Sequence, residues 1–129
     1  MSDARFDIER EGPNSLRIAL AGSLDAQTME VALQRLTQEM DGMEHGDMLM
    51  LDQGAEWPSL GAIGVELRHW PQLLAMLHKL DRCALVTHNQ MFRNAAAVES
   101  ALIPGYEIRS FNDEASARAW LAEARAAPA

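Results

Sequence analysis

The sequence is poor in cysteine, tyrosine and positive charge, and each shortage narrows its chemistry. One cysteine, Cys83, in 129 residues excludes an intrachain disulfide framework and a Cys-rich zinc site, and predicts a reducing compartment. No apolar run approaches the roughly 20 residues that a membrane-spanning helix needs. The opening stretch MSDARFDIEREG lacks the basic start and apolar core of a secretory signal. A cytoplasmic location without integral membrane association is therefore expected. Lys plus Arg is 11 against 19 Asp plus Glu, a formal charge of −8. Protonating all four histidines would halve that charge without reversing it, so binding of nucleic acid or an anionic membrane through phosphates is not expected. GxGxxG, Walker and GxSxG motifs are absent from the sequence, which leaves nucleotide binding and serine-hydrolase chemistry without a motif.

What is present is regular patterning. Hydrophobic residues make up 48% of the chain, enough for a real core, and no Gly-, Ser- or Pro-rich linker divides it. Residues 1–129 are read as one domain with an ordered core over about residues 5–124. Phe6 and Ile8, then Leu16, Ile18 and Leu20, alternate with polar or small residues around Gly12-Pro13-Asn14, which predicts an antiparallel hairpin. Met29, Leu33, Leu36 and Met40 form the stripe of an amphipathic helix over Asp25 to Met40, with Ser23 or Asp25 able to cap it. Met48 to Leu51 is apolar without alternation and ends at Asp52, as in a strand covered on both faces.

From Ser59, the residues Leu60, Ile63, Leu67, Trp70, Leu74 and Leu77 keep helical spacing, but Pro71 predicts a kink or two abutting helices. Cys83 to Val86 predicts another short strand, and Asn89 stands where a helix over Gln90 to Leu102 needs a cap. Pro104-Gly105 stops that helix, and Tyr106 to Phe111 alternates like a strand with one wet face. Asn112-Asp113 can cap a last helix carrying Ala117, Trp120, Leu121 and Ala124, and Ala126 to Ala129 is expected to fray. The predicted class is α/β: a small mixed, mostly parallel sheet with helices packed on it, in the order ββαβαβαβα.

That order, with LMLD at the third strand, Glu56-Trp57 before Ser59-Leu60-Gly61-Ala62, the strand CALVTH before a helix bearing Phe92, and the ending EASARAWL, resembles the SpoIIAA-like family of the STAS superfamily. The resemblance spans nearly the whole chain. It implies an anti-sigma-factor-antagonist type of fold, and the superfamily includes phosphorylation-controlled partner-binding switches and relatives of the CRAL-TRIO lipid carriers. In the switch proteins a phosphorylated serine, preceded by Asp-Ser and followed by Gly, begins the helix after the third strand. The nearest match here is Ser59, which makes it the candidate phosphorylation site, with Trp57 and Pro58 in place of the acidic and serine positions.

The residues themselves offer few chemical constellations. His45, His69, His78 and His88 lack the i, i+4 spacing with a nearby glutamate that a zinc protease helix shows, so no metal and no cofactor is expected. Gly61-Ala62-Ile63-Gly64 matches the GxxG of an RNA-clamping loop but is followed by Glu66, so close packing of the helix against the sheet is the simpler role. Cys83 begins an apolar strand and reads as a small buried hydrophobe. Asp52 falls at the carboxyl edge of a strand, where open α/β sheets bind ligands, with Glu56 and Trp57 in the loop that follows. No second group fixes a reaction there, so no catalytic residue is assigned.

Two binding functions follow. The first is a non-enzymatic domain that contacts a protein partner, or a second copy of itself, through Asp52, Glu56, Trp57, Ser59 and the front of the second helix. The second is a carrier or sensor of an apolar, lipid-like molecule held between Leu60, Ile63, Leu67, Trp70 and the sheet. The eight methionines suit either, since thioether side chains repack at low cost. Met29, Met40, Met43, Met48, Met50, Met76 and Met91 are the candidates for lining such a groove.

Overall fold

A computed structural model of the chain describes residues 5–56, 59–102 and 107–126. Strands β1 (Arg5–Gly12) and β2 (Ser15–Gly22) form the expected hairpin, with Ile8 opposite Ile18 and Phe6 opposite Leu20. These facing pairs put the apolar residues of both strands on one side of the sheet. Helix α1 (Ala26–Met40) starts where Asp25 Oδ1 accepts the Thr28 N–H at 2.8 Å, and it buries Ala32, Leu33, Leu36 and Met40. Of the two caps the sequence offered, Asp25 is the one used.

Strand β3 (Gly46–Ala55) pairs in parallel with β2 and with β4 (Leu80–Val86), and β5 (Ile108–Phe111) pairs in parallel with β4. The order across the five-stranded sheet is β1-β2-β3-β4-β5. Parallel neighbours laid down in chain order need crossovers, and right-handed crossovers repeated in one direction return every helix to the same face. Helices α1, α2 (Leu60–Arg68), α3 (Trp70–Leu77) and α4 (Gln90–Leu102) all contribute side chains to one core cluster, together with Ile18, Met48 and Cys83 of the sheet.

The opposite face is covered by α5 (Glu114–Ala126), whose Ala117, Trp120 and Leu121 pack on Leu49, Leu51 and Ala84. The Asp113 carboxylate caps α5 by accepting the Ser116 N–H at 2.7 Å. Trp120 lies 5.6 Å from the Phe111 ring, and the guanidinium of Arg82 stands 4.6 Å from its indole centroid while donating to the Trp120 carbonyl at 2.6 Å. β3 is thereby buried on both sides, as its unbroken apolar run predicts. No described helix is long and apolar enough to cross a membrane.

Three expectations are corrected. The strand expected to end at Asp52 runs to Ala55 through an irregularity at Gly54, whose φ of +98° is a left-handed conformation suited to glycine. Of the kink or two abutting helices expected at Pro71, the latter is present: α2 ends at Arg68, and Pro71 sits in the first turn of α3, where its missing N–H costs nothing. What is corrected is the inward face: close approach of α2 to α1 turns Ala62 and Val65 inward, followed by Leu73 and Met76 of α3, while Leu60 is 88% and Leu67 64% exposed. The last strand begins at Ile108. Tyr106, the helix stop Pro104-Gly105, Trp57, Pro58 and the tail Ala127 to Ala129 lie outside the described residues.

Two glycines separate packing from propensity. A Cβ on Gly46, the first residue of β3, would run into the Asn14 carbonyl, whereas one on Gly64 in α2 meets nothing within 4 Å. Gly46→Ala is expected to lose about 1–3 kcal/mol of stability through overpacking, and Gly64→Ala to gain about 0.5–1 kcal/mol through helix propensity. Urea unfolding of the two variants checks the opposite signs.

Candidate functional site

The residues after β3 are tied into the fold. Asp52 Oδ1 accepts the N–H groups of Gly54 at 3.1 Å and Ala55 at 2.8 Å, and its Oδ2 accepts the hydroxyl of buried Thr87 at 2.6 Å. One carboxylate thus closes the turn in its own strand and fastens β3 to the end of β4. Thr87 Oγ1 also accepts the Asn89 N–H at 3.0 Å, and Asn89 Oδ1 accepts the Met91 N–H at 2.9 Å at the start of α4. Arg93 completes the seam by donating to the Thr87 carbonyl and to Asn112 Oδ1. Glu56 is exposed and accepts the Ser23 hydroxyl at 2.7 Å.

Ser59 Oγ caps α2 by accepting the Ala62 N–H at 3.1 Å, and the Ser59 N–H donates to the Leu24 carbonyl. The small side of α2 lies close to α1, where a Cβ on Gly61 would come within 3.3 Å of Ala26 Cβ. The close approach expected of the small residues in Gly61-Ala62-Ile63-Gly64 is thus made by Gly61, and toward α1 instead of the sheet, while Gly64 has open space beside it. Further along the same two helices, His69 Nε2 stands 3.4 Å from Glu30 Oε1.

Beneath α1 to α4 lies a cavity of about 410 Å³. Its floor is the sheet, through residues such as Leu20, Met48, Met50 and Leu85. Its walls include Met29 and Leu33 of α1, Ile63 of α2, Trp70 of α3 and Phe92 of α4. Of the candidates from the sequence, Ile63 and Trp70 line this space, whereas Leu60 and Leu67 do not. Met29, Met48 and Met50 also line it, Met40, Met43 and Met76 are buried in the core, and Met91 is exposed.

Thr28 and Glu66 are the non-aromatic polar residues of the lining. Thr28 is engaged with Asp25. The carboxyl of Glu66 has no hydrogen bond or ion pair among the described residues, and burial raises its pKa. In the sequence Glu66 served only as a charge against an RNA-clamping loop and was given no place in a binding site. Its signal was positional: Ile63, Glu66 and Trp70 stand at i, i+3 and i+7, so a carboxylate interrupts an apolar stripe. Among the described residues, no three His, Cys, Asp or Glu side chains gather as a metal site would require.

The SpoIIAA-like family model matches residues 15–122. An uncharacterized protein of the DUF3478 family from Shewanella loihica PV-4, with a SpoIIAA-like fold, is similar in structure at a TM-score of 0.72 and 21% identity, over 94% of this chain and 95% of that one. The cell fate determinant SpoIIAA of Bacillus, in its phosphorylated form, is similar at a TM-score of 0.57 and 16% identity, over 89% of this chain and 99% of that one. A comparison with curated proteins finds no match.

The half-buried carboxyl of Glu66 has a signature in pH. Burial holds Glu66 above its ordinary value of 4.5, so the folded state keeps the proton more tightly than the unfolded chain. Ionised Glu66 opposes folding, and its stabilising protonation is complete below the unfolded value and lost as pH rises through the higher folded one. The caps work with opposite sign: N–H donors hold Asp25 and Asp113 below 3.8, and what they contribute is lost as pH falls through their lowered values. Glu66→Gln leaves those caps intact. It is expected to be more stable than the parent at about pH 7, with the advantage shrinking toward about pH 4. Denaturant melts at both values check this, and a pH-independent difference would refute it.

Proposed function

The chain belongs to the SpoIIAA-like family, and on that premise we propose that it is a cytoplasmic regulatory binding domain, without catalytic chemistry of its own, that holds an apolar, lipid-like ligand beneath α1 to α4. Domains of this family are generally regulatory rather than enzymatic and commonly act through protein contacts. The cavity carries the ligand reading. The space is partly open to solvent, and apolar surface left facing water is what a ligand of the same character would cover. A space of about 410 Å³ lined by Leu, Met, Ile, Phe and Trp falls within the size of small-molecule pockets, roughly 300–1,000 Å³. Left empty it forfeits dispersion contacts, which an apolar occupant restores.

Filling the cavity tests this. Ile63→Trp, and separately Ala95→Leu from the α4 wall, are expected to weaken binding of a fluorescent fatty-chain probe by at least about tenfold while leaving the circular dichroism of the fold unchanged. Failure of the parent protein to bind any apolar probe would sink the ligand reading.

A protein contact on the outside of α2 is favoured by a different observation. Leu60 is 88% and Leu67 64% exposed, and residues seven apart share one side of a helix. Val31, 50% exposed, adds an apolar residue on α1, the helix against which α2 packs. Ser59, at the head of this surface, is the candidate phosphorylation site. A phosphate there would add charge beside the helix N-terminus, where anions are favoured. The partner is a protein or a second copy of the chain. The double variant Leu60→Asp, Leu67→Asp is expected to fold normally and to lose the complex that the parent forms in native gels of its own cell extract. Retention of the same complex by the double variant would remove this surface from the proposal.

A further inference from the structure

We propose, resting on the ligand reading above, that Glu66 contacts the polar end of the cavity's occupant and selects a single-chain apolar molecule whose head donates a hydrogen bond, an alcohol or an amine, over a fatty acid. The space sets the size of the tail: at about 30 Å³ for a group the size of water, 410 Å³ holds roughly a dozen such groups. The chemistry of the lining sets the head. An ionised carboxylate is an acceptor with no donor of its own, and placing it unpaired against apolar surface is costly.

No cation among the described residues answers Glu66. On α1, Glu30 faces His69. On α4, Arg93 is committed to the Thr87 carbonyl and Asn112. Arg68 follows Glu66 on the exposed side of α2, and the strands contribute only apolar residues to the lining. Thr28, the other polar lining residue, is turned to Asp25. The raised pKa of Glu66 has desolvation as its cause, as befits a carboxyl with no donor nearby. A hydroxyl or ammonium head supplies that donor in a charge-assisted bond. A carboxylate head would set two anions side by side inside a domain whose formal charge is already −8.

The test is calorimetric titration of the intact chain with 1-decanol, decylamine and decanoate at about pH 8, where decanoate is ionised. The parent is expected to bind the alcohol and the amine at least about tenfold more tightly than the acid. Glu66→Gln, whose amide can donate as well as accept, is expected to bring the three within about threefold of one another. Glu44→Gln removes one charge from the exposed turn before β3 and is expected to keep the parent's preference, which separates a local contact from overall repulsion. An unchanged preference in Glu66→Gln, with binding still blocked by Ile63→Trp, overturns the role of Glu66 and leaves the cavity reading standing. Binding of none of the three by the parent overturns both.

Discussion

The constraint on which the rest of the molecule depends is the order of its parallel strands. β2, β3, β4 and β5 lie side by side in the order in which the chain makes them. Each connection steps the same way across the sheet, and the crossover rule then sends α1 to α4 to one face. Among the described residues, the other face has one helix to cover it. α5 reaches β3, β4 and β5, and beyond it the hairpin presents charge, with Arg17 near Glu9 at 3.9 Å and Arg118 of α5 bound to Glu11 at 3.0 Å. A crowded face and a thinly covered one are consequences of topology, not of local propensity.

Crowding does not mean close packing everywhere. α2 and α3 are short, broken from each other at His69, and α2 meets α1 through Gly61 and Ala26. Small residues let the backbones approach, and Val65 is the buried side chain of α2 longer than alanine in the core cluster. The methionines and leucines of the floor fill part of the space beneath the helices, and about 410 Å³ remains. Glu66 lines the cavity from α2, and its carboxyl has no partner among the described residues. Both oppose folding when nothing occupies the space.

The reach of local signals explains what the sequence could and could not say. Alternation at Ile8 and Ile18, the caps at Asp25, Ser59, Asn89 and Asp113, and the apolar runs at Met48 and Cys83 are local signals, and each element they announce is present. The phase of α2 is not local. Its stripe places Leu60 and Leu67 inward by size, yet close approach to α1 turns Ala62 and Val65 inward instead. Asp52 was legible as a residue at a strand end. That both its oxygens would be engaged by Gly54, Ala55 and Thr87 depends on the pairing of β3 with β4, which no single segment encodes.

The engagement of Asp52 changes where binding is to be sought. In open α/β sheets the carboxyl ends of the strands are the usual ligand crevice. Here Asp52, Thr87, Asn89, Arg93 and Asn112 join one another across that edge, while Glu56 holds Ser23. The available surfaces lie on the two sides of α2: Ile63 and Glu66 toward the cavity, Leu60 and Leu67 toward solvent. A helix of nine residues cannot move one side without the other. Any occupant that shifts α2 alters what its leucines present, and by reciprocity any partner that prefers the shifted helix tightens the occupant by the same factor. If both proposed sites are used, the short helix between them is the element through which an internal ligand and an external partner would act on each other.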